Sequence, residues 1–144
     1  MTFEEFNIQI NEIKKKRPIW FELSYSCDTS DDMIICVEKD LKIMLPKQYK
    51  DFIKKYGGGY FAFTIVLSCN SNSDFYIVND ESKSLLEKYS FLPLFDFETG
   101  DLAGVKIANG KCSEKIFRFL HETKELISSD YDFFSAVINY GLKY

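Results

Sequence analysis

"LPKQYKDFIKKYGGGYF", residues 45–61, places three consecutive glycines directly after eleven residues with a helical pattern. Tyr49, Phe52, Ile53 and Tyr56 recur at i, i+3, i+4 and i+7, with lysines on the opposite face. That spacing predicts an amphipathic helix facing a core. Pro46 starts it, since proline at a first helical position gives up no needed hydrogen bond. A phosphate cradle needs glycines ahead of a helix, where free N–H groups and the positive dipole end face the anion. Gly57, Gly58 and Gly59 follow the helix instead, where carbonyls carry partial negative charge. Gly57 is expected to cap the helix in a left-handed conformation, and the other two to turn the chain into a strand.

Upstream, Thr2 and Glu5 form a capping box for a first helix carrying Phe3, Phe6, Ile10 and Ile13. Pro18 stops that helix. The run Lys14-Lys15-Lys16-Arg17 sits at its C-terminal end, where cations are favoured by the dipole; a targeting signal or nucleic-acid patch is the alternative. In "IWFELSYSC", 19–27, apolar and polar positions alternate, which predicts a strand or an extended arm. A second helix is expected from about Asp31 to Lys42, with Ile34, Val37, Leu41 and Met44 on one face.

Beyond the glycines the period falls to two. "YFAFTIVLS", 60–68, reads as one strand with Phe61, Phe63, Ile65 and Leu67 on one face, and "FYIV", 75–78, as a second. "NDESKSLLEKY" fits a short helix. "FLPLFDF", "LAGVKI" and "EKIFRFL" follow as three strands joined by "ETGD" and "ANGK" turns. Short links favour antiparallel neighbours. Ser129 and Asp132 form a capping box for a last helix with Phe133, Phe134, Val137 and Ile138 inward. The expected architecture is α+β: one domain over 1–144, an antiparallel β-sheet meander covered by N-terminal helices and a C-terminal helix.

The order of several of these residues resembles the SUKH superfamily, which includes bacterial immunity proteins and yeast cell-wall regulators. Leu45-Pro46, Tyr49, Phe52 and Gly57-Gly58 resemble its hallmark, with Glu38 and Leu41 one helix upstream. "LPLF" at 92–95, Gly100-Asp101, His121-Glu122 and "SDYDFFSAV" resemble its central strand, turn, terminal strand and final helix start. The match covers roughly 30–140 and leaves 1–29 as an N-terminal helix plus a strand or arm. "LAGVKI" lacks the second acidic residue that many relatives carry after the turn.

The chemical inventory is thin. His121 is the only histidine, and Cys27, Cys36, Cys69 and Cys112 form no CxxC pair and lack zinc-ligand spacing. A Cys–His nucleophilic pair would need the fold to bring a thiol to His121; otherwise the histidine closes a strand with a backbone hydrogen bond. Asp96, Glu98 and Asp101 surround one turn, readable as a solvated turn, an acidic protein-binding patch or a cation site. Trp20 fits a core position or an interface anchor. Trp20, Asp96, Glu98 and Asp101 are therefore the candidate partner-binding residues; no catalytic, metal or cofactor-binding residue is assigned, and no cofactor is expected.

Composition limits the classes further. The net charge of −4 disfavours a nucleic-acid-coating protein. Aromatics at 17%, with 14 Phe and 9 Tyr, supply a bulky core. The N-terminus lacks a signal-peptide pattern, and no apolar run approaches the roughly 20 residues of a membrane span. Reduced thiols in a cytoplasm are the expectation.

The resemblance implies an immunity protein, not an enzyme, that neutralises a cognate bacterial toxin by stoichiometric occlusion. Such toxins include basic nucleases, which suit an acidic partner. A regulatory protein-binding scaffold is the alternative, and a small hydrolase or transferase a third reading. No direct nucleic-acid or membrane partner is expected, and the oligomeric state stays open.

Overall fold

The computed structural model describes residues 1–22 and 29–142. Helix α1 spans Phe3–Lys16 and begins where Thr2 Oγ1 accepts the Glu5 N–H at 3.1 Å. A 3-10 turn, Pro18–Phe21, follows directly. This corrects the strand expected from 19: the alternation there is short, and Pro18 seeds a tight turn. Residues 23–28 of that expected strand lie outside the described residues.

Helix α2, Asp31–Leu41, is capped by Ser30 and ends at Lys42 in the left-handed region. Ile34, Val37 and Leu41 are buried as expected. Met44 is 64% exposed, because the helix has already ended and the apolar stripe no longer applies. Glu38 then ties this end to the next helix: its Oε2 accepts the Leu45 N–H at 2.8 Å and lies 3.6 Å from Lys50 Nζ. Helix α3, Lys47–Tyr56, takes Pro46 as its N-cap residue rather than its first helical position.

Each of the three glycines has its own reason. Gly57 has φ 71° and ψ −173°, an extended positive-φ conformation open essentially to glycine alone, rather than the left-handed helical one. A Cβ on Gly58 would lie 2.5 Å from Ser68 Cβ and 2.6 Å from its Cα. Gly59 has φ 104° and opens β1, Gly59–Phe61. The glycines let the backbone reverse and pack closely.

The expected single strand over 60–68 is instead a tight hairpin of β1 with β2, Thr64–Val66, closed by the pair Phe61↔Thr64. Ala62, at φ 52°, makes the turn. The expected strand at 75–78 is absent: Tyr76 makes one isolated bridge to Ser68, inside a loop that leads to α4, Asp80–Tyr89, capped by Asn79. Strands β3, Phe91–Asp96, and β4, Leu102–Ala108, follow. The Asn109-Gly110 turn, both residues at positive φ, then makes a short hairpin with β5, Lys111–Cys112. β6, Phe117–Leu120, and β7, Glu125–Ser128, complete the set. His121 and Glu122, expected in a strand, occupy the β6–β7 turn. Helix α5, Phe133–Gly141, is capped by Asp132, whose Oδ1 accepts the Ser135 N–H at 2.8 Å. Ser129 is not the cap; its hydroxyl donates to the Ile116 carbonyl at 2.6 Å.

Among the described residues, all ladder pairs are antiparallel, in the order β1-β2-β3-β4-β6-β7 with β5 beside β4. One row of register partners crosses six strands: Tyr60, Ile65, Asp96, Leu102, Phe119 and Leu126. Its central members pack against Leu85 of α4. The adjacent row, with Val66, Phe95 and Ala103, faces the main core built with α1, α2, α3 and α5. Helices therefore cover both faces of the central strands, around an interior of stacked and edge-on rings such as Phe6–Phe134 at 4.7 Å and Phe95–Phe133 at 5.2 Å. The result is the expected α+β meander. Among the described residues, no helix is long and apolar enough to cross a membrane.

Candidate protein-binding surface

The register decides where the candidate residues fall. Antiparallel pairing puts the β1–β2 turn at 62–63, the β3–β4 turn at 97–101 and the β6–β7 turn at 121–124 at the same end of the sheet. The C-terminal end of α5 meets them there, since the Phe63 N–H donates to the Gly141 carbonyl at 2.9 Å. Trp20 joins this end from the 3-10 turn: its ring lies 5.2 Å from the Phe63 ring, edge to face. Trp20, far away in sequence, is thus gathered with Asp96, Glu98 and Asp101 at one end of the molecule.

They do not play one role. Asp96 Oδ1 accepts the Glu98 N–H at 2.8 Å, an Asx turn that bends the chain out of β3. Glu98, at φ 61°, accepts from the Tyr60 hydroxyl at 3.2 Å. Desolvation and then this bond push the Tyr60 phenol above its ordinary value. Asp101 is a clamp instead. Its Oδ1 accepts both the His121 backbone N–H at 3.0 Å and the ring Nδ1 at 2.6 Å. A carboxylate only accepts here, so Nδ1 carries the proton. The His121 backbone bond, then the ring, hold Asp101 below the usual carboxylate range. Gly100 makes room, because a Cβ there would lie 2.9 Å from the imidazole. Asp101 and His121 therefore join two turns.

Aromatic rings link the parts. Phe97 lies 5.0 Å from Tyr140, one residue before Gly141, and the Arg118 guanidinium stacks over Phe97 at 5.2 Å. The sequence did not single out Phe63, Tyr60 or Phe97 for this surface. Their aromatic character was visible, but only the hairpin and the register bring them beside the acidic turn.

No thiol is brought to His121 by any hydrogen bond of the described structure; its partner is Asp101. Cys69 is buried, 3.6 Å from the Tyr49 hydroxyl, and burial first of all pushes its thiol up to about 11. Cys112 donates to the Met44 carbonyl at 3.1 Å, and burial likewise pushes it up to about 11. Neither is activated as a thiolate. Among the described residues, no group of three His, Cys, Asp or Glu side chains is placed to hold a metal ion.

A cleft of about 510 Å³ opens elsewhere, between the starts of α3 and α5 and the segment 112–116. Its polar groups serve the fold. Gln48 bridges the Phe134 N–H and Asp132, and Asp132 also holds the N-terminal amine at 3.1 Å. Lys47 pairs with Asp51 at 2.9 Å, and Lys115 donates to the Asp130 carbonyl at 3.1 Å.

The model of the SUKH_6 family, described as SMI1-KNR4 cell-wall, matches residues 31–135. No curated protein matches the chain. The match spans α2, the α2–α3 link, the three glycines, the whole sheet and the first turn of α5. The chain therefore belongs to the SMI1-KNR4 family of the SUKH superfamily.

Proposed function

We propose that this chain is an immunity protein that neutralises a cognate bacterial toxin by stoichiometric occlusion, the folded domain docking over the toxin's active cleft or substrate channel. Family membership across residues 31–135 is the observation that carries this reading. The partnering of the polar groups supports it. Asp101, His121, Asp132 and Gln48 are engaged in fixing turns and helix starts, and the described thiols at 69 and 112 are held protonated. The net charge of −4 suits a basic partner such as a nuclease, since complementary charge speeds encounter and sets partner choice. Binding in the cytoplasm of the producing cell goes with this role.

The family description, with its reference to the cell wall, favours one second reading: a regulatory scaffold that binds host proteins. Isothermal calorimetry separates the two. The probe is the candidate toxin domain from the product of the gene adjacent to this chain's, purified as a catalytically dead variant. Neutralisation predicts one-to-one binding, sub-micromolar or tighter, without added nucleotide or metal. No heat with that domain contradicts the proposal.

A further inference from the structure

We propose that the basic face where the C-terminal ends of α1 and α3 meet, with the 3-10 turn beside it, docks an acidic segment of a protein partner. The inference rests on the protein-binding reading above and adds a contact face and the chemistry that fits it.

The fold brings together two basic runs that the sequence keeps apart. Lys14, Lys15, Lys16 and Arg17 close α1, Lys54 and Lys55 close α3, and all six are exposed. Tyr56 is the meeting point. Its hydroxyl donates to Asn7 Oδ1 of α1, and its ring has Lys14 Nζ at 5.6 Å and Lys55 Nζ at 5.5 Å. Phe21 of the 3-10 turn joins through Phe61, whose ring lies 5.5 Å from both Phe21 and Tyr56. Each run by itself suits the negative end of its own helix. Side by side the two runs repel, so helix capping accounts for the members and not for their convergence. Choices that oppose the fold concentrate at functional positions.

The cations are positioned without being neutralised. Lys14 also lies over Phe21 at 5.3 Å, Lys55 over Phe3 at 5.9 Å and Arg17 over Trp20 at 5.8 Å. A ring attracts a cation through its quadrupole and leaves the charge intact. Among the described residues, Lys54 alone of the six has a carboxylate within 4 Å, Asp31 at 3.3 Å. Asp51, one turn before Lys55, is held by Lys47 at 2.9 Å. Glu4, Glu12 and Glu22 are the other carboxylates close in chain, and the six cations outnumber them together with Asp31. A side chain already held over a ring gives up less freedom on binding.

The local sign selects the occupant. The net charge of −4 governs encounter at long range, but at contact the groups within a Debye length, about 8 Å at physiological salt, decide. A nucleic acid carries a charge at every nucleotide and would meet both the overall negative charge and the interspersed carboxylates. A protein segment can space its acidic side chains to the cations and set an apolar one on Ile19, 67% exposed beside Trp20.

Fluorescence anisotropy of a labelled peptide of repeated Glu-Asp-Leu tests this, with a repeated Lys-Lys-Leu peptide, an oligothymidylate and phosphatidylserine vesicles as the other probes. The acidic peptide should bind the parent, more weakly as salt is raised, and the basic peptide should not bind this face. Lys14→Gln/Arg17→Gln/Lys55→Gln should weaken binding by at least about 10-fold. Lys83→Gln/Lys88→Gln/Lys106→Gln, which removes as many exposed cations from α4 and β4, should bind like the parent. If the first variant melts well below the parent, Lys15→Gln/Lys16→Gln decides instead and should weaken binding by about 3-fold or more. Parent-like binding by a folded variant of this face, an equal loss in the α4–β4 variant, or no binding by the parent overturns the inference. Tighter binding of the oligothymidylate or the vesicles overturns it too. The immunity reading survives each of these results, since it falls only with the calorimetry above.

Discussion

Asp101 illustrates how a residue can be found by sequence while its structural partner stays hidden. Its position after Gly100 marked a turn, and its charge suggested a surface for a partner. The missing information was spatial: His121 lies 20 residues away and reaches Asp101 only because β4 and β6 pair through Leu102↔Phe119. The clamp has a pH signature. Hydrogen bonds lower the folded-state pKa of Asp101, so its stabilisation is fully present above the ordinary carboxylate value, about 3.9, and is lost as pH falls through the lowered folded value. Asp101→Ala should therefore melt below the parent at pH 6–7, and the gap should close as pH drops below about 4. A gap independent of pH in thermal melts would show that the carboxylate charge does not hold the two turns. Trp20, by contrast, was suspected for its residue type alone, and the structure gives it a ring partner in Phe63.

Elements were legible where their signals were local. Thr2, the 3.6-residue stripe of α3 and the Asn-Gly turn each carry their own physics, and each lies where that physics puts it. The β1–β2 hairpin was not legible, because period-two alternation continues straight through Ala62 and Phe63, neither of which is a turn residue. β7 was missed for a different reason: Glu125–Ser128 is a short, mostly exposed edge strand with no apolar face to announce it. "FYIV" misled in the opposite direction, since Phe75 and Tyr76 pack on the core from a loop. The glycine run makes a prediction at this scale. Gly58→Ala must push backbone and Cβ atoms of Ser68 apart, and should cost about 1–3 kcal/mol in urea denaturation. Gly110→Ala meets nothing within 4 Å and pays only for φ +76°, roughly 1–2 kcal/mol. Equal, negligible costs at both sites would refute the close approach of the α3–β1 link to the loop after β2.

At the scale of the whole molecule, the sheet sorts the chain into a core and one turn-bearing end. Rings fill the interior, and the cleft between α3 and α5 is braced by Gln48 and Asp132. The far ends of β3 and β6, with the β1–β2 tip and Trp20, collect aromatic groups and the turn carboxylates Asp96 and Glu98. The family was legible because its marks follow backbone necessity: Glu38 holding the Leu45 N–H, Pro46 opening α3, and the glycines turning into the sheet. The partner was not legible in the same way, because an interface surface answers to another molecule rather than to the fold. Occlusion makes a quantitative demand that catalysis does not. Titrating this chain into a fixed amount of the toxin proposed as its partner, and following residual toxin activity, should give a linear fall that reaches zero at one chain per toxin. Complete loss of toxin activity at a few chains per hundred toxins, or undiminished activity at tenfold excess, would contradict it.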